Sequence, residues 1–175
     1  RYMKFSKSDI KNIIQEELSV VLVESAKRRA LLSILMRVLK TGPESYAKAL
    51  AKSAKRNDYN IKKDPAAALV ALATFVQKDF AKAYRNNGCR TVEREGRPDY
   101  DKDVLKCKAL KAANEDLNDN IILGVDGESV KAARRLVAFI PTRANYAKSK
   151  YMSVMTTKAY FALYKKFKKG APSDL

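Results

Sequence analysis

The sequence predicts an all-α protein: a single compact domain of about five to six helices with no β-sheet. Two observations favour this fold. Apolar residues recur at three- and four-residue steps along most of the chain, and glycine and proline fall mostly between these segments. The 175 residues and the 46% hydrophobic fraction suit one domain with a buried core. We expect residues 1–175 to form that domain, with helical halves 1–88 and 99–170 joined by a loop at 89–98.

The first helix is predicted over Ser8–Lys40, before the stop signal Thr41-Gly42-Pro43. Ser6 and Asp9 stand at the spacing of a capping box, in which side chains satisfy the free N–H groups of the first turn. A helix of this length is long for a globular protein, so we expect a break near Ser25.

The next two helices are marked by proline at their starts. The second is predicted from Pro43 to Arg56 and is followed by a loop over 57–63. Asp64-Pro65 is the pattern of a cap followed by proline at the first helical position, and it predicts a third helix that ends at Asn86. Asn87-Gly88 closes that helix.

The rest of the chain is predicted to be helical with two interruptions. Segment 90–98 has no apolar period and is expected to be an exposed, mobile loop, and segment 118–127 is rich in turn residues. The predicted helices are Tyr100–Leu117 with Asp99 as its cap, Glu128–Ile140 before Pro141, and a last helix from a Thr142 cap to Lys169, before Gly170.

Charge is the unusual feature of the composition. Lysine and arginine number 36 against 19 acidic residues, which gives a formal net charge of +17. Such a surplus repels itself in a compact fold, so it is normally kept where an anionic partner offsets it, and nucleic acid is the commonest such partner. The alternatives are an anionic membrane surface, an acidic protein partner and a basic surface that is simply solvated.

The basic residues are concentrated in the last quarter of the chain. No acidic residue occurs from Ser129 to Ser173, whereas soluble surfaces normally mix both signs. The acid-free stretch therefore indicates a functional surface. Its basic residues are Lys131, Arg134, Arg135, Arg143, Lys148, Lys150, Lys158, Lys165, Lys166, Lys168 and Lys169.

The predicted last helix places three lysines, Lys158, Lys165 and Lys169, close to one line, with tyrosines beside them. Lysines neutralise phosphates, and tyrosine rings stack on unpaired bases, so this face suits a single-stranded nucleic acid. The candidate stacking residues are Tyr160 and Tyr164. Alternatively, both tyrosines are boundary residues of the core with their hydroxyls in water.

The second helix repeats this pattern on a smaller scale, with four basic residues and no acid among them. If this face lies beside the C-terminal helices, the basic surface becomes a groove, but the sequence leaves that adjacency open. The four residues are Lys48, Lys52, Lys55 and Arg56.

Three arginines bracket the corner at Pro141: Arg134, Arg135 and Arg143. The planar guanidinium group suits bidentate contact with phosphate. Arg143 also falls in the first turn of the predicted last helix, where free N–H groups favour an anion. We interpret the corner as a phosphate site; the alternative is that one arginine covers apolar surface with its stem.

The sequence favours a binding protein over an enzyme. Because it has no histidine, Ser–His and Cys–His nucleophilic pairs and histidine metal ligands are excluded. The run Asp99-x-Asp101-x-Asp103 lacks the glycine and the final acid of a calcium loop. We therefore predict no catalytic residue, no metal and no cofactor. A histidine-free nuclease built on the acids and arginines of segment 90–101 is a less favoured alternative.

Cys89 and Cys107 leave two states open, a disulfide or two reduced thiols, and the absence of a visible secretory signal favours the thiols. No segment reaches the roughly 18 uncharged apolar residues of a membrane span. We expect a cytoplasmic or nucleoprotein-associated protein.

Lysine outnumbers arginine and no recognition-helix signature is present, which favours contact with the phosphate backbone over base readout. The sequence thus predicts a non-catalytic protein that coats or packages single-stranded RNA or DNA without sequence preference. The alternative is a self-assembling helical subunit whose apolar Ser19–Leu39 surface packs on copies of itself or on a partner, with its charge directed at an acidic protein.

Overall fold

The structure, a computed structural model, describes residues 7–148 and 154–170. Within these ranges it is helical and contains no strand, so the predicted all-α class and single compact domain are confirmed. A π-helical segment, Leu117–Ile122, joins α5 to α6, and a 3-10 turn, Val154–Thr156, precedes α9. The helices are α1 (Lys7–Thr41), α2 (Glu44–Arg56), α3 (Pro65–Asn86), α4 (Cys89–Arg94), α5 (Lys102–Asp116), α6 (Leu123–Asp126), α7 (Val130–Ala138), α8 (Arg143–Lys148) and α9 (Lys158–Lys168).

The core is built around α3. Its first half is apolar on nearly every side, as expected for a helix that is surrounded by others. Leu69, Leu72, Val76 and Phe80 have no exposed surface, and α1, α2, α5 and the π-helical segment pack around them. The start of α3 is as predicted: the Asp64 carboxylate accepts a hydrogen bond from the backbone N–H of the third helical residue at 3.0 Å.

The structure also confirms that the first and third helices end close to Gly42 and Gly88, as predicted. α3 ends at Asn86, and Gly88 follows with a φ of 63°, in the left-handed region that favours glycine. α1 ends at Thr41, and the N–H of Gly42 donates to the Val38 carbonyl at 2.7 Å. Pro43 is the cap of α2 rather than its first residue.

α1 is one continuous helix, so the predicted break near Ser25 is wrong. Its 35 residues contain neither glycine nor proline, the two residues that most often kink a helix. Its second half packs into the domain, where Leu31, Leu35 and Val38 are buried. Residues 15–26 are exposed on every side. The predicted Ser6 cap lies outside the described residues.

The segment predicted to be an exposed, mobile loop contains α4, so that prediction is wrong in part. Cys89 is bonded to Cys107, with 5.4 Å between their Cα atoms, and both residues are buried together with Val92. The prediction of two reduced thiols is therefore also wrong. Six residues are too short to show an apolar period, which is why the sequence did not reveal the helix.

The boundaries of the later helices differ from the predictions because side chains cap them at other positions. Asp101, not Asp99, caps α5. Its carboxylate accepts hydrogen bonds from the backbone N–H groups of Asp103 and Val104. The predicted turns over 118–127 continue the helix, with Leu117, Ile121 and Val125 fully buried at four-residue spacing. α7 lies inside its predicted range, with Ser129 as its cap.

The predicted last helix is interrupted. The Thr142 hydroxyl accepts from the N–H of Asn145 at 3.3 Å, as expected of a cap, but α8 is followed by a new start at Thr157. The buried Thr157 hydroxyl donates to the Val154 carbonyl at 3.0 Å and accepts from the Tyr160 N–H at 3.3 Å. This second start, together with α4 and α6, gives more helices than the five or six predicted.

Candidate nucleic-acid interface

α2 presents a row of basic side chains to solvent. Its inner side, with Tyr46, Leu50 and Ala54, is buried against the core, which turns the opposite side outward. The four outward residues are exposed, and within the described part of the chain none of them forms an ion pair. We call them the lysine face of α2: Lys48, Lys52, Lys55 and Arg56.

A groove of about 360 Å³ runs between α1 and α7. Arg37 of α1 and Arg134 of α7 both line it, beside the apolar side chains of Ile34 and Val137. Neither arginine forms an ion pair with an acid among the described residues. Sequence reasoning missed Arg37, because one arginine on a long helix carries no signal until α7 is seen to pack beside it.

Arg143, the first residue of α8, lies at the junction of α1 and α2. Its Nε donates to the Gly42 carbonyl at 3.4 Å, and its guanidinium group is 3.8 Å from the Glu44 carboxylate. These two side chains are 55% and 68% exposed, so their ion pair is weak. We call the two groove arginines, Arg37 and Arg134, together with Arg143 the arginine corner; Arg143 lies at the end of α1 and does not line the groove itself. The C-terminal basic segment and α2 therefore do meet, at this point.

The helix that carries Arg143 is held against α2 by a cluster of polar aromatic residues. The rings of Tyr46 and Tyr146 meet edge to face with 5.5 Å between centroids. The Tyr46 hydroxyl donates to a carboxylate oxygen of Asp79 at 2.5 Å, and the Tyr146 hydroxyl lies 3.5 Å from the same oxygen. Burial raises the pKa of Asp79 above its ordinary value, although both hydroxyls and the charge of Lys82 act in the opposite direction.

The remaining basic residues of α7 have different surroundings. Arg135 forms an ion pair with Asp116 at the end of α5, so its charge is offset locally. Lys131 is exposed. The structure therefore separates Arg135 from Arg134 and Arg143, with which the sequence had grouped it. α8 has six residues, too few for the helix-terminus support that was expected for an anion at Arg143.

α9 packs on α5, and its basic residues form a separate exposed surface there. Tyr160 is only 5% exposed, its ring stacks on Tyr164 with 6.0 Å between centroids, and burial raises its pKa to about 12. Its burial corrects the expectation that its ring is offered to bases, whereas Tyr164 is half-buried. The exposed lysines are Lys158, Lys165, Lys166, Lys168 and Lys169. Lys150 and the side chain of Lys148 lie outside the described residues.

In the segment considered for a nuclease, all five acids from Glu93 to Asp103 form ion pairs with nearby cations. Arg97 contacts three acids: Glu95 at 2.7 Å, Asp103 at 3.3 Å and Asp101 at 4.0 Å. Among the described residues, no group of three or more acids or cysteines could hold a metal ion. Further ion pairs of this segment are Lys106–Asp103, Lys108–Asp99 and Lys111–Glu93. We call residues 93–111 the paired region.

Comparison of the chain with protein-family models, with curated proteins and with solved structures finds no match. In the ranges that the structure describes, no helix combines the length and the apolar character needed to cross a bilayer. The fold and the site together define a basic all-α protein with an arginine-lined groove.

Proposed function

We propose that this protein binds the phosphate backbone of nucleic acid at the arginine corner and along the lysine face of α2, without catalysis. One observation supports the proposal most directly: Arg37 and Arg134 line the same groove and neither is paired with a described acid. Two like charges that share a groove repel each other, and a phosphate between them relieves that repulsion.

The chemistry of the groove suits phosphate better than an isolated carboxylate. Guanidinium groups offer paired donors to phosphate oxygens, and the apolar walls formed by Ile34 and Val137 weaken the screening by water. Contacts with phosphate carry no sequence information, so we propose binding that is independent of sequence. The lysine face of α2 extends the surface beyond Arg143, which favours a strand over a small anion.

The exposed lysines of α9 lie on another part of the surface, because α9 packs mainly on α5. A flexible single strand can follow basic residues on more than one side of a small domain, which a stiff duplex cannot do without bending. This arrangement supports the coating or packaging of single-stranded RNA or DNA.

The test is the salt dependence of binding to a short fluorescent oligonucleotide, measured by anisotropy from about 50 to 200 mM salt. Contact with three to five phosphates predicts a slope of log K against log salt of about −2 to −4. A slope near zero would overturn the proposal. Polyglutamate is the control competitor: we expect it to displace the oligonucleotide far less well than unlabelled oligonucleotide, and equal displacement would indicate an acidic protein as the partner.

A further inference from the structure

Residues 15–26 of α1 have their side chains in water, and only the last of them border the domain, where Glu24 and Ser25 line grooves with residues of the loop before α3. In a helix that packs on a surface, one residue in every three or four is covered, yet none of the twelve residues from 15 to 26 is even half-buried. We call residues 15–26 the projecting segment. It carries large apolar side chains in water, among them Leu18, Val21 and Leu22, with exposed fractions of 56%, 59% and 64%.

These three side chains occupy one side of the helix. Successive residues turn by 100°, so Leu18, Val21 and Leu22 lie within roughly 100° of one another. The buried side of α1 lies at a different angle around the helix axis. Val20 is on that side, because it precedes the buried Leu31 by eleven residues, or about three turns. The exposed stripe continues instead toward Met36, on the outer surface of α1, which is 47% exposed. An apolar stripe of this length marks an association surface.

From the end of the projecting segment onward, the same side of α1 borders a shallow groove of about 290 Å³. Ser25 and Leu32 form part of its lining, and three cations, Arg28, Arg29 and Lys62, line the rest. The groove therefore suits an occupant with an apolar stripe and negative charge beside it.

The projecting segment itself has that composition. Glu17 lies on the same flank of the stripe as Arg28, since eleven residues are three turns plus roughly 20°. Neither Glu17 nor Arg28 forms an ion pair among the described residues. When two copies of a helix pack antiparallel through the same apolar stripe, the residues on one flank of the stripe face the residues on the same flank in the other copy. Glu17 of each copy then meets Arg28 of the other, with the apolar residues between the two ion pairs.

We propose that two copies of this chain pair antiparallel through their projecting segments, with the crossing near Leu22, each segment lying in the groove of the other copy. A parallel pair does not give this match, because it sets residues of the same charge at the same height along the two helices. The pairing uses a different side of α1 from the groove lined by Arg37, so either proposal can fail without the other.

The oligomeric state of the full chain tests the proposal. After nuclease treatment, sedimentation equilibrium should give twice the chain mass of 19.6 kDa, and Leu18→Ser should raise the dissociation constant at least about tenfold. Val20→Ser is the matched control, because Val20 is also 56% exposed but lies on the other side of the helix, and it should leave the dimer intact. Both side chains are in water, so folding is not at risk.

A monomer at all concentrations overturns the proposal, and so does equal weakening by Leu18→Ser and Val20→Ser. Charge exchange is the second test: Glu17→Arg and Arg28→Glu should each weaken the dimer, and the double variant should restore it. Failure of the double variant to recover would exclude the antiparallel ion pairs.

Cysteine cross-linking then reports the orientation. Leu22→Cys places two thiols close to the two-fold axis and should cross-link readily, whereas Leu18→Cys places them roughly 13 Å apart along the axis and should not. Efficient cross-linking at both positions would indicate a parallel pair and would overturn the proposal.

Discussion

The paired region and the arginine corner are both rich in charged residues, but they differ in how many of those residues form ion pairs. In the paired region, Arg97 alone contacts three carboxylates, and three lysines, Lys106, Lys108 and Lys111, each have an acid at 2.7–3.6 Å. In the arginine corner, Arg37 and Arg134 have no ion pair with a described acid, and Arg143 has a weak, exposed one. The surplus of seventeen charges is therefore not spread evenly over the protein.

This difference teaches that a count of charges along the chain is a poor guide to where an anion can bind. Segment 90–111 holds seven arginines and lysines, and its acids form ion pairs with four of them, Arg97, Lys106, Lys108 and Lys111. Field strength at a surface depends on the charges that remain unpaired after folding. The comparison can be tested on each side separately.

The largest expected effect concerns the disulfide that joins α4 of the paired region to α5. The double variant Cys89→Ser/Cys107→Ser should lower the free energy of unfolding by about 3 kcal/mol, because the bond closes a loop of 18 residues. Urea denaturation measures this loss. Affinity of the folded variant for the oligonucleotide should be unchanged, since the arginine corner lies on other helices.

A reducing agent supplies the control for the disulfide. It should shift the urea midpoint of the natural sequence and leave the double variant unaffected. An unchanged midpoint for the natural sequence would contradict the bond between Cys89 and Cys107. Loss of oligonucleotide binding by the folded double variant would instead place the paired region in the binding surface.

The second prediction concerns the arginine corner. Arg37→Glu/Arg134→Glu should weaken oligonucleotide binding by about 10- to 100-fold, or about 1.4 to 2.7 kcal/mol, and should make the salt slope shallower by about 1.5. Arg94→Glu/Lys102→Glu makes the same change in net charge and is the matched control, because these two exposed cations of the paired region also form no ion pair with a described acid but do not line the groove. We expect it to change the affinity less than about threefold.

Equal losses in these two double variants would mean that net charge, and not the groove between α1 and α7, determines binding. A loss confined to the control would transfer the site to the paired region. Both variants should keep the unfolding free energy of the natural sequence within about 1 kcal/mol, because the four side chains are exposed or line an open groove.

The features that the sequence predicted correctly are those with local causes. Asp64-Pro65 and Thr41-Gly42-Pro43 mark helix ends through their own hydrogen bonding and φ preferences, so the limits of α1 and α3 could be predicted within a residue or two. The helical period gave the fold class for the same reason. The lysine face of α2 also follows from this period, since its lysines recur at three- and four-residue steps.

The features that were missed depend on contacts between distant segments. Cys89 and Cys107 meet only because α4 folds back on α5, and Arg37 meets Arg134 only because α7 packs along α1. The burial of Tyr160 required knowing which side of α9 faces α5. The continuity of α1 past Ser25 was missed for another reason: typical helix lengths predict a break that the residues themselves do not cause.

The smallest effect concerns Asp79, whose carboxylate accepts hydrogen bonds from the hydroxyls of Tyr46 on α2 and Tyr146 on α8, the helix that carries Arg143. Tyr46→Phe removes the 2.5 Å hydrogen bond to the Asp79 carboxylate and should cost about 1–2 kcal/mol at neutral pH, as urea denaturation measures. Tyr146→Phe is the matched control, and its loss should be smaller because that hydroxyl lies 3.5 Å away.

The pH dependence of this loss follows from the pKa of Asp79. Burial raises it above the ordinary 3.8, so the folded chain keeps a proton that the unfolded chain releases. This contribution to stability is complete below pH 3.8 and is lost as the pH rises through the raised pKa. The Tyr46 hydroxyl opposes the shift by favouring the carboxylate, and its removal raises the pKa of Asp79 further. The difference in unfolding free energy between the natural sequence and Tyr46→Phe should therefore grow from acidic to neutral pH. A difference that is constant with pH would mean that Tyr46 stabilises the junction of α2 and α8 through the packing of its ring on Tyr146 alone.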